Sequence, residues 1–145
     1  MAGTGIFDVA AIAAALPGEA RTLLVDTYLT DRPAASARVF RVYRPTPPHD
    51  HATCDEYLYC LSGRGTFWMG DACAAVPFGP GQLLVFEKGT FHAMPEVDPG
   101  EPVTFLSIDT PRREPTDIVF VNPDDGSPAT FMARNARERG PDGHA

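Results

Sequence analysis

The chain carries four histidines, and two of them stand one residue apart in "HDHATCDEYLYCLSG", residues 49 to 63. His49, His51 and Glu56 are all metal-binding types and fall within eight residues. A third histidine, His92, follows in "GQLLVFEKGTFHAMPE", and the fourth, His144, lies in a polar tail. Imidazole and carboxylate together suit borderline divalent ions: Fe(II), Mn(II), Ni(II), Cu(II) or Zn(II). Four protein ligands around a six-coordinate ion leave two positions for a chelating substrate, water or O₂. One carboxylate leaves such a site net positive by about one charge, which suits an anionic or enolate-like ligand.

Bringing these side chains together sets conditions on the backbone. Side chains alternate faces along a strand, so His49 and His51 point one way and Asp50 the other. Glu56 lies an odd number of residues past His51, which in a straight strand is the wrong face. It joins the histidines only if "ATCD" forms a turn or bulge that resets the parity. Beyond it, "EYLYCLSG" puts Leu58 and Cys60 on the Glu56 face, with Tyr57, Tyr59 and Leu61 opposite. Those three are expected to pack in a second sheet layer or against another subunit, and a homodimer is the expected assembly.

Downstream, Gln82 to Phe86 reads as a strand, Lys88-Gly89-Thr90 as a turn, and the segment carrying His92 as a returning strand. Met94 keeps pace with His92 and is expected to line the same pocket. Arg41 and Tyr43 share parity with His49, although Pro45, Pro47 and Pro48 intervene. They are candidates for anchoring a substrate carboxylate.

The surrounding elements are short. "FDVAAIAAALPGE", residues 7 to 19, reads as a helix capped by Asp8, stapled by Phe7 and ended by Pro17-Gly18. After it come "TLLVDTYL", "ARVFRVYR", "EYLYCLSG", "GTFWMG", "QLLVFE" and "PVTFLSID", all rich in β-branched and aromatic residues. The 15 prolines and 13 glycines fall mostly in the separators, as many short strands with tight turns require. No helical periodicity interrupts the strands, which excludes parallel βαβ units and points to an all-β sandwich or barrel. From Asn122 onward the strand pattern fades into a polar tail, with a short helix expected over "ATFMARNARER". The expected organisation is a helix and first strand at 1–34, a barrel at 35–121, and a partly flexible extension at 122–145.

At 145 residues a single domain is expected, and 43% hydrophobic content suffices for one core. A formal net charge of −7 argues against nucleic acid or an anionic membrane as partner. Cys54, Cys60 and Cys73 match no zinc pattern and are odd in number, so a disulfide framework is not expected and a cytoplasmic setting is. No basic residue precedes Arg21 and no long apolar run occurs, so neither a signal peptide nor a membrane span is expected.

At these positions the chain resembles the cupin superfamily. The first cupin motif is written G(X)5HXH(X)3–4E(X)6G. His49, His51, Glu56 and Gly63 match its HXH(X)4E(X)6G portion without a gap, with Tyr43 at the leading glycine. The second is written G(X)5PXG(X)2H(X)3N, and Gly81, Gly89 and His92 match it. Glu87 replaces its proline and Glu96 its asparagine, and both are expected at solvent-facing loop positions. The short segment between the motifs, 64 to 80, resembles the compact form of many bacterial members. The resemblance covers residues 36 to 110.

It implies a double-stranded β-helix, the RmlC-like jelly-roll barrel, with a short N-terminal helix and a C-terminal extension. It also implies one divalent transition ion per chain on His49, His51, Glu56 and His92, with Fe(II) ahead of Zn, Mn, Ni or Cu. The activity it points to first is a small-molecule metalloenzyme of dioxygenase type acting on an anionic or oxygen-chelating ligand. The alternatives are a non-redox isomerase or lyase and a non-catalytic small-ligand carrier. The pocket residues expected beside the ion are Arg41, Tyr43, Leu58, Cys60 and Met94. Phe67 and Trp68 are expected in the core or an interface, and no residue stands out as a general base.

Overall fold

A computed structural model of the chain describes residues 3–70, 75–98, 100–129 and 135–137. Cys73 and His144 lie outside the described residues. The Ala-rich stretch after Asp8 forms helix α1 (Val9–Ala15), and the Asp8 carboxylate accepts the Ala11 N–H at 3.0 Å as its N-cap. The helix is shorter than expected because Leu16 already has extended backbone.

Eleven strands follow among the described residues: β1 (Leu24–Arg32), β2 (Ala35–Val42), β3 (Thr46–Asp50), β4 (Asp55–Ser62), β5 (Gly65–Met69), β6 (Ala75–Phe78), β7 (Leu83–Phe86), β8 (His92–Glu96), β9 (Val103–Thr110), β10 (Val119–Phe120) and β11 (Asn135–Arg137). They form two mainly antiparallel sheets with strand orders β11-β1-β2-β9-β4-β7 and β10-β3-β8-β5-β6. The chain passes repeatedly from one sheet to the other, which is the double-stranded β-helix.

Three strands differ from the sequence reading. β3 and β6 contain prolines, which normally mark turns. β3 tolerates Pro47 and Pro48 because its pairing with β8 shifts register between Thr46 and His49. At that irregularity the Thr46 hydroxyl accepts the Met94 N–H at 2.7 Å. The expected terminal helix over 129–139 is corrected at Asn135–Arg137, which instead pairs in parallel with Leu24–Asp26. A sheet edge with free N–H and C=O groups gives that segment more hydrogen-bond partners than an isolated short helix has.

Between the sheets lies one core, centred on Phe40, Val42, Leu58, Cys60, Phe67, Phe86, Met94, Val103 and Phe105. A second cluster lies outside the six-stranded sheet, where α1 packs Ala13 and Leu16 against Val25, Leu29, Val39 and Tyr43. Inner and outer faces of β2 are therefore both apolar, and alternation along that strand alone does not say which is which.

Candidate metal centre

His49 is the last but one residue of β3, His51 lies just past the end of that strand at Asp50, and His92 opens β8, so β3, the residue that follows it and β8 bring the three imidazoles together. Residues 49 and 92 are direct antiparallel partners. Glu56 comes from β4 in the opposite sheet, so the group spans the mouth of the barrel. Between His51 and Glu56 the chain bends at Ala52 and Thr53, which resets the parity as the spacing requires.

Asp117, remote in sequence, holds that bend. Its carboxylate accepts the Ala52 and Thr53 N–H groups at 2.8 and 3.1 Å and the Thr53 hydroxyl at 2.8 Å. The β7–β8 turn is tied to the same loop, with the Gly89 N–H donating to the His51 carbonyl at 2.8 Å. Gly89 has φ +77°, a left-handed conformation that favours glycine. Gly63, the last residue of the first motif, has φ +83°, and a Cβ there would lie 2.8 Å from the Pro102 carbonyl oxygen.

Each imidazole is oriented the same way. His49 Nδ1 lies 2.6 Å from the Pro47 carbonyl, His51 Nδ1 2.7 Å from that of Asp117, and His92 Nδ1 2.9 Å from that of Thr90. A carbonyl only accepts, so every Nδ1 carries the proton and every Nε2 keeps its lone pair. This is the outer-shell arrangement metal-binding histidines use. Phe86 stacks on the His92 ring at 4.1 Å and 17° and fixes its plane.

One ligand atom from each histidine falls within 4.8 Å of the other two. A single point therefore lies within about 2.8 Å of all three (4.8 Å divided by √3), against ~2.0–2.1 Å for a metal–nitrogen bond. Glu56 Oε2 is 3.6 Å from His51 Nε2, and Oε1 is 3.4 Å from His92 Nε2. His92 Nε2 is buried with no hydrogen-bond partner among the described residues. Lone pairs converging on one point beside a buried carboxylate fit a divalent cation.

Electrostatics agree with that use. Burial, and then the neighbouring His92 and His51, hold His49 well below 6.5, so it is a neutral ligand. Burial also pushes Glu56 upward, but His51 and His92 outweigh it and hold the carboxyl well below the usual range. It stays ionised. His51 is lowered by burial and raised further by the Glu56 carboxylate, with a net upward shift. A proton and a metal ion thus compete for the same lone pair.

The group opens into a cavity of ≈ 40 Å³ whose walls include Phe40, Val42, Leu58, Phe67, Met94 and Phe105. Leu58 and Met94 line it. Cys60, expected beside the ion, is instead fully buried in the core and is not part of the cavity wall. Arg41 and Tyr43 require correction, because both point away from the cavity. The Arg41 guanidinium donates to the Leu16, Pro17 and Ala13 carbonyls and to the Thr104 hydroxyl, and the Tyr43 hydroxyl donates to the Pro17 carbonyl. The chain changes sheets between β2 and β3, so parity is not carried across the prolines. Glu87 and Glu96 are exposed, and Phe67 is a core residue that also lines the cavity.

In place of Arg41, the structure puts Arg38 and Arg113 on the cavity wall. Arg38 pairs with Asp26 at 3.1 Å, and Arg113 Nε lies 3.4 Å from Asp109. The only sequence signal for Arg38 is that it alternates with Phe40 and Val42. Arg113 sits in a loop and left no signal.

Fold and site together define a jelly-roll barrel with a histidine–carboxylate centre at its mouth. The family model for the cupin domain matches residues 41–109, a span that includes all four of these residues. Residues 41–109 form a cupin domain. A comparison with curated proteins finds no match.

Among solved structures, an uncharacterized conserved protein with a double-stranded β-helix domain from Klebsiella pneumoniae is 18% identical. It covers 75% of this chain and 91% of its own, with a TM-score of 0.57. The DMSP lyase DddQ from Ruegeria pomeroyi is 24% identical over 64% of this chain and 46% of its own, TM-score 0.55. A variant of Streptomyces PAC13 solved with uridine is 20% identical over 65% of this chain and 73% of its own, TM-score 0.51. At these identities the likeness concerns the fold.

Proposed function

We propose that this chain is a small-molecule metalloenzyme that holds one divalent transition ion between His49, His51, Glu56 and His92. Iron(II) is the first choice of ion and dioxygenase-type chemistry the first reading. The observation that carries the proposal is the tautomer set. Three buried imidazoles have Nδ1 tied to carbonyls, so three Nε2 lone pairs meet beside an ionised Glu56.

A divalent ion bound there supplies Lewis-acid polarisation of a chelating ligand and, where the ion is iron(II), access to oxygen chemistry. The protein residues supply the rest. The carbonyls of Pro47, Asp117 and Thr90 prevent the rings from rotating. Phe40, Phe67 and Phe105 keep the cavity apolar, which strengthens every charge interaction inside it. Glu56 lowers the charge of the centre to about +1, so an anionic or oxygen-chelating ligand is favoured.

A second reading, a non-redox lyase or isomerase with Zn, Mn or Ni, is supported by the fold likeness to the DMSP lyase. A carrier that binds without turnover is the third, and the uridine complex of PAC13 shows a relative of this fold holding a small ligand. No helix among the described residues is long and apolar enough to cross a membrane. Buried free thiols at Cys54 and Cys60 support a cytoplasmic setting. Apolar side chains exposed on β4, β7 and β9 support a homodimer.

Anaerobic purification with metal analysis, then ligand screening with and without O₂, tests the reading. Iron near one equivalent with substrate-dependent O₂ uptake supports a dioxygenase, whereas zinc with turnover and no O₂ uptake moves it to the non-redox class. Less than half an equivalent of any transition metal would sink the metalloenzyme.

A further inference from the structure

Two arginines stand on the wall of an otherwise largely apolar cavity that they share with the three histidines. Arg38 is 5% exposed and Arg113 is 3% exposed. Burying a guanidinium costs several kcal/mol, and replacing a buried ion pair by apolar residues is often neutral or stabilising. Fold stability is therefore a weak reason to keep two of them.

Their hydrogen bonding is incomplete. A guanidinium has five N–H donors. Arg38 spends one on Asp26, while its buried Nε has no partner among the described residues. Its Cζ sits 4.6 Å over the Phe40 ring, which sets the plane of the group. Arg113 Nε reaches Asp109 only at 3.4 Å, the margin of a hydrogen bond. Ser107 Oγ and Asp109 Oδ1 are buried without partners as well. Strand register gathers these atoms into one layer, because Arg38 faces Ser107 across β2–β9 and Asp109 faces Glu56 across β9–β4. The unpartnered Arg38 Nε thus belongs to a residue on the wall of the same cavity as the metal ligands, with Ser107 and Asp109 on the neighbouring strand behind that wall.

Resting on the metalloenzyme reading above, we infer that Arg38 and Arg113 form a carboxylate-binding subsite, and that the ligand is a small monocarboxylate. Charge selects this class. Asp26 and Asp109 cancel the two arginines, and Glu56 with a divalent ion leaves about one positive charge, which a monoanion neutralises.

Calorimetric titration of zinc-loaded and metal-stripped protein with pyruvate and glycolate, and with their neutral amides, tests the subsite. Both acids are expected to bind the loaded wild type roughly tenfold or more tighter than the amides, as a charge-assisted fork requires. Arg38→Gln and Arg113→Gln are each expected to weaken acid binding about 10–100-fold, with one metal per chain retained and amide binding little changed. Arg38→Lys and Arg113→Lys keep the charge and lose the planar fork, so intermediate affinity is expected; they replace the glutamine variants should those not fold. Equal binding of acid and amide, no binding of either acid, or full acid affinity in a metal-replete arginine variant overturns the inference. Should the wild type hold no metal, the metalloenzyme reading falls, and the same acid–amide comparison on metal-free protein still decides the arginines.

Discussion

With His51 Nδ1 bonded to the Asp117 carbonyl and the Asp117 carboxylate bonded to Ala52 and Thr53, one residue controls both a ligand's tautomer and the bend that brings Glu56 into reach. Asp117→Ala keeps the carbonyl that orients His51 but removes the carboxylate that holds the bend, so it is expected to lower metal affinity about tenfold by loosening the approach of Glu56; a competition titration with a metallochromic chelator measures it. Burial raises the Asp117 carboxyl, but the amides of Ala52 and Thr53 and the Thr53 hydroxyl outweigh it, and its pKa lies below 3.8. A depressed carboxyl stabilises the fold fully above its unfolded value and loses that contribution as the pH falls through its folded pKa. The difference in Tm between wild type and Asp117→Asn should therefore be full from pH 7 down to about 4 and close below it, as melts across that range will show. Direct removal of a ligand is harsher. His92→Ala should leave less than half an equivalent of metal in protein whose far-UV circular dichroism is unchanged. His49, His51, Glu56 and His92 were legible from spacing alone. Asp117 was not, because its role depends on a contact across 66 residues of chain.

Among the elements, α1 shows how a sequence signal can be real and misassigned. Seven residues are too few for a helix to persist by itself in water. It persists here because Ala13 and Leu16 pack on the outer sheet face and Arg41 satisfies carbonyls at its C-terminal end. Arg41→Ala is expected to cost about 1–3 kcal/mol through the freed carbonyls and lost packing. Hydrogen exchange should quicken in α1 while amides of β4 and β9 and the metal content stay unchanged; a drop in metal content would instead return Arg41 to the pocket. The proline-bearing β3 was hard to read for a related reason. Pro47 and Pro48 are compatible with a strand only at an irregularity, and that irregularity exists only opposite β8.

At the scale of the whole molecule, the centre joins the two sheets, so an ion bound there crosslinks them and should stabilise the fold. At a free concentration a hundredfold above Kd the gain is about 2.7 kcal/mol, or roughly 5–10 °C in Tm for a chain of this size. Differential scanning calorimetry before and after chelation checks it, and an unchanged Tm would contradict the crosslink. The outer face of the six-stranded sheet is covered by α1 at one end only. At the other end Tyr59, Leu83, Val85 and Ile108 stand exposed on three adjacent strands, with Leu83 at 56%. If two copies pair there, Leu83→Glu should halve the mass measured by light scattering with metal content retained; an unchanged mass would place the interface elsewhere or leave the chain a monomer.

The sequence by itself determined the all-β class, the four residues of the centre and the need for a bend between His51 and Glu56. Those are local facts, set by alternation over a few residues and by chemical type. Only the tertiary structure decided which face of β2 looks inward. Val39, Arg41 and Tyr43 on one side and Arg38, Phe40 and Val42 on the other make two half-apolar faces, and both are buried, one under α1 and one in the barrel. Which arginine lines the cavity therefore followed from what packs on each face, information that no single strand contains.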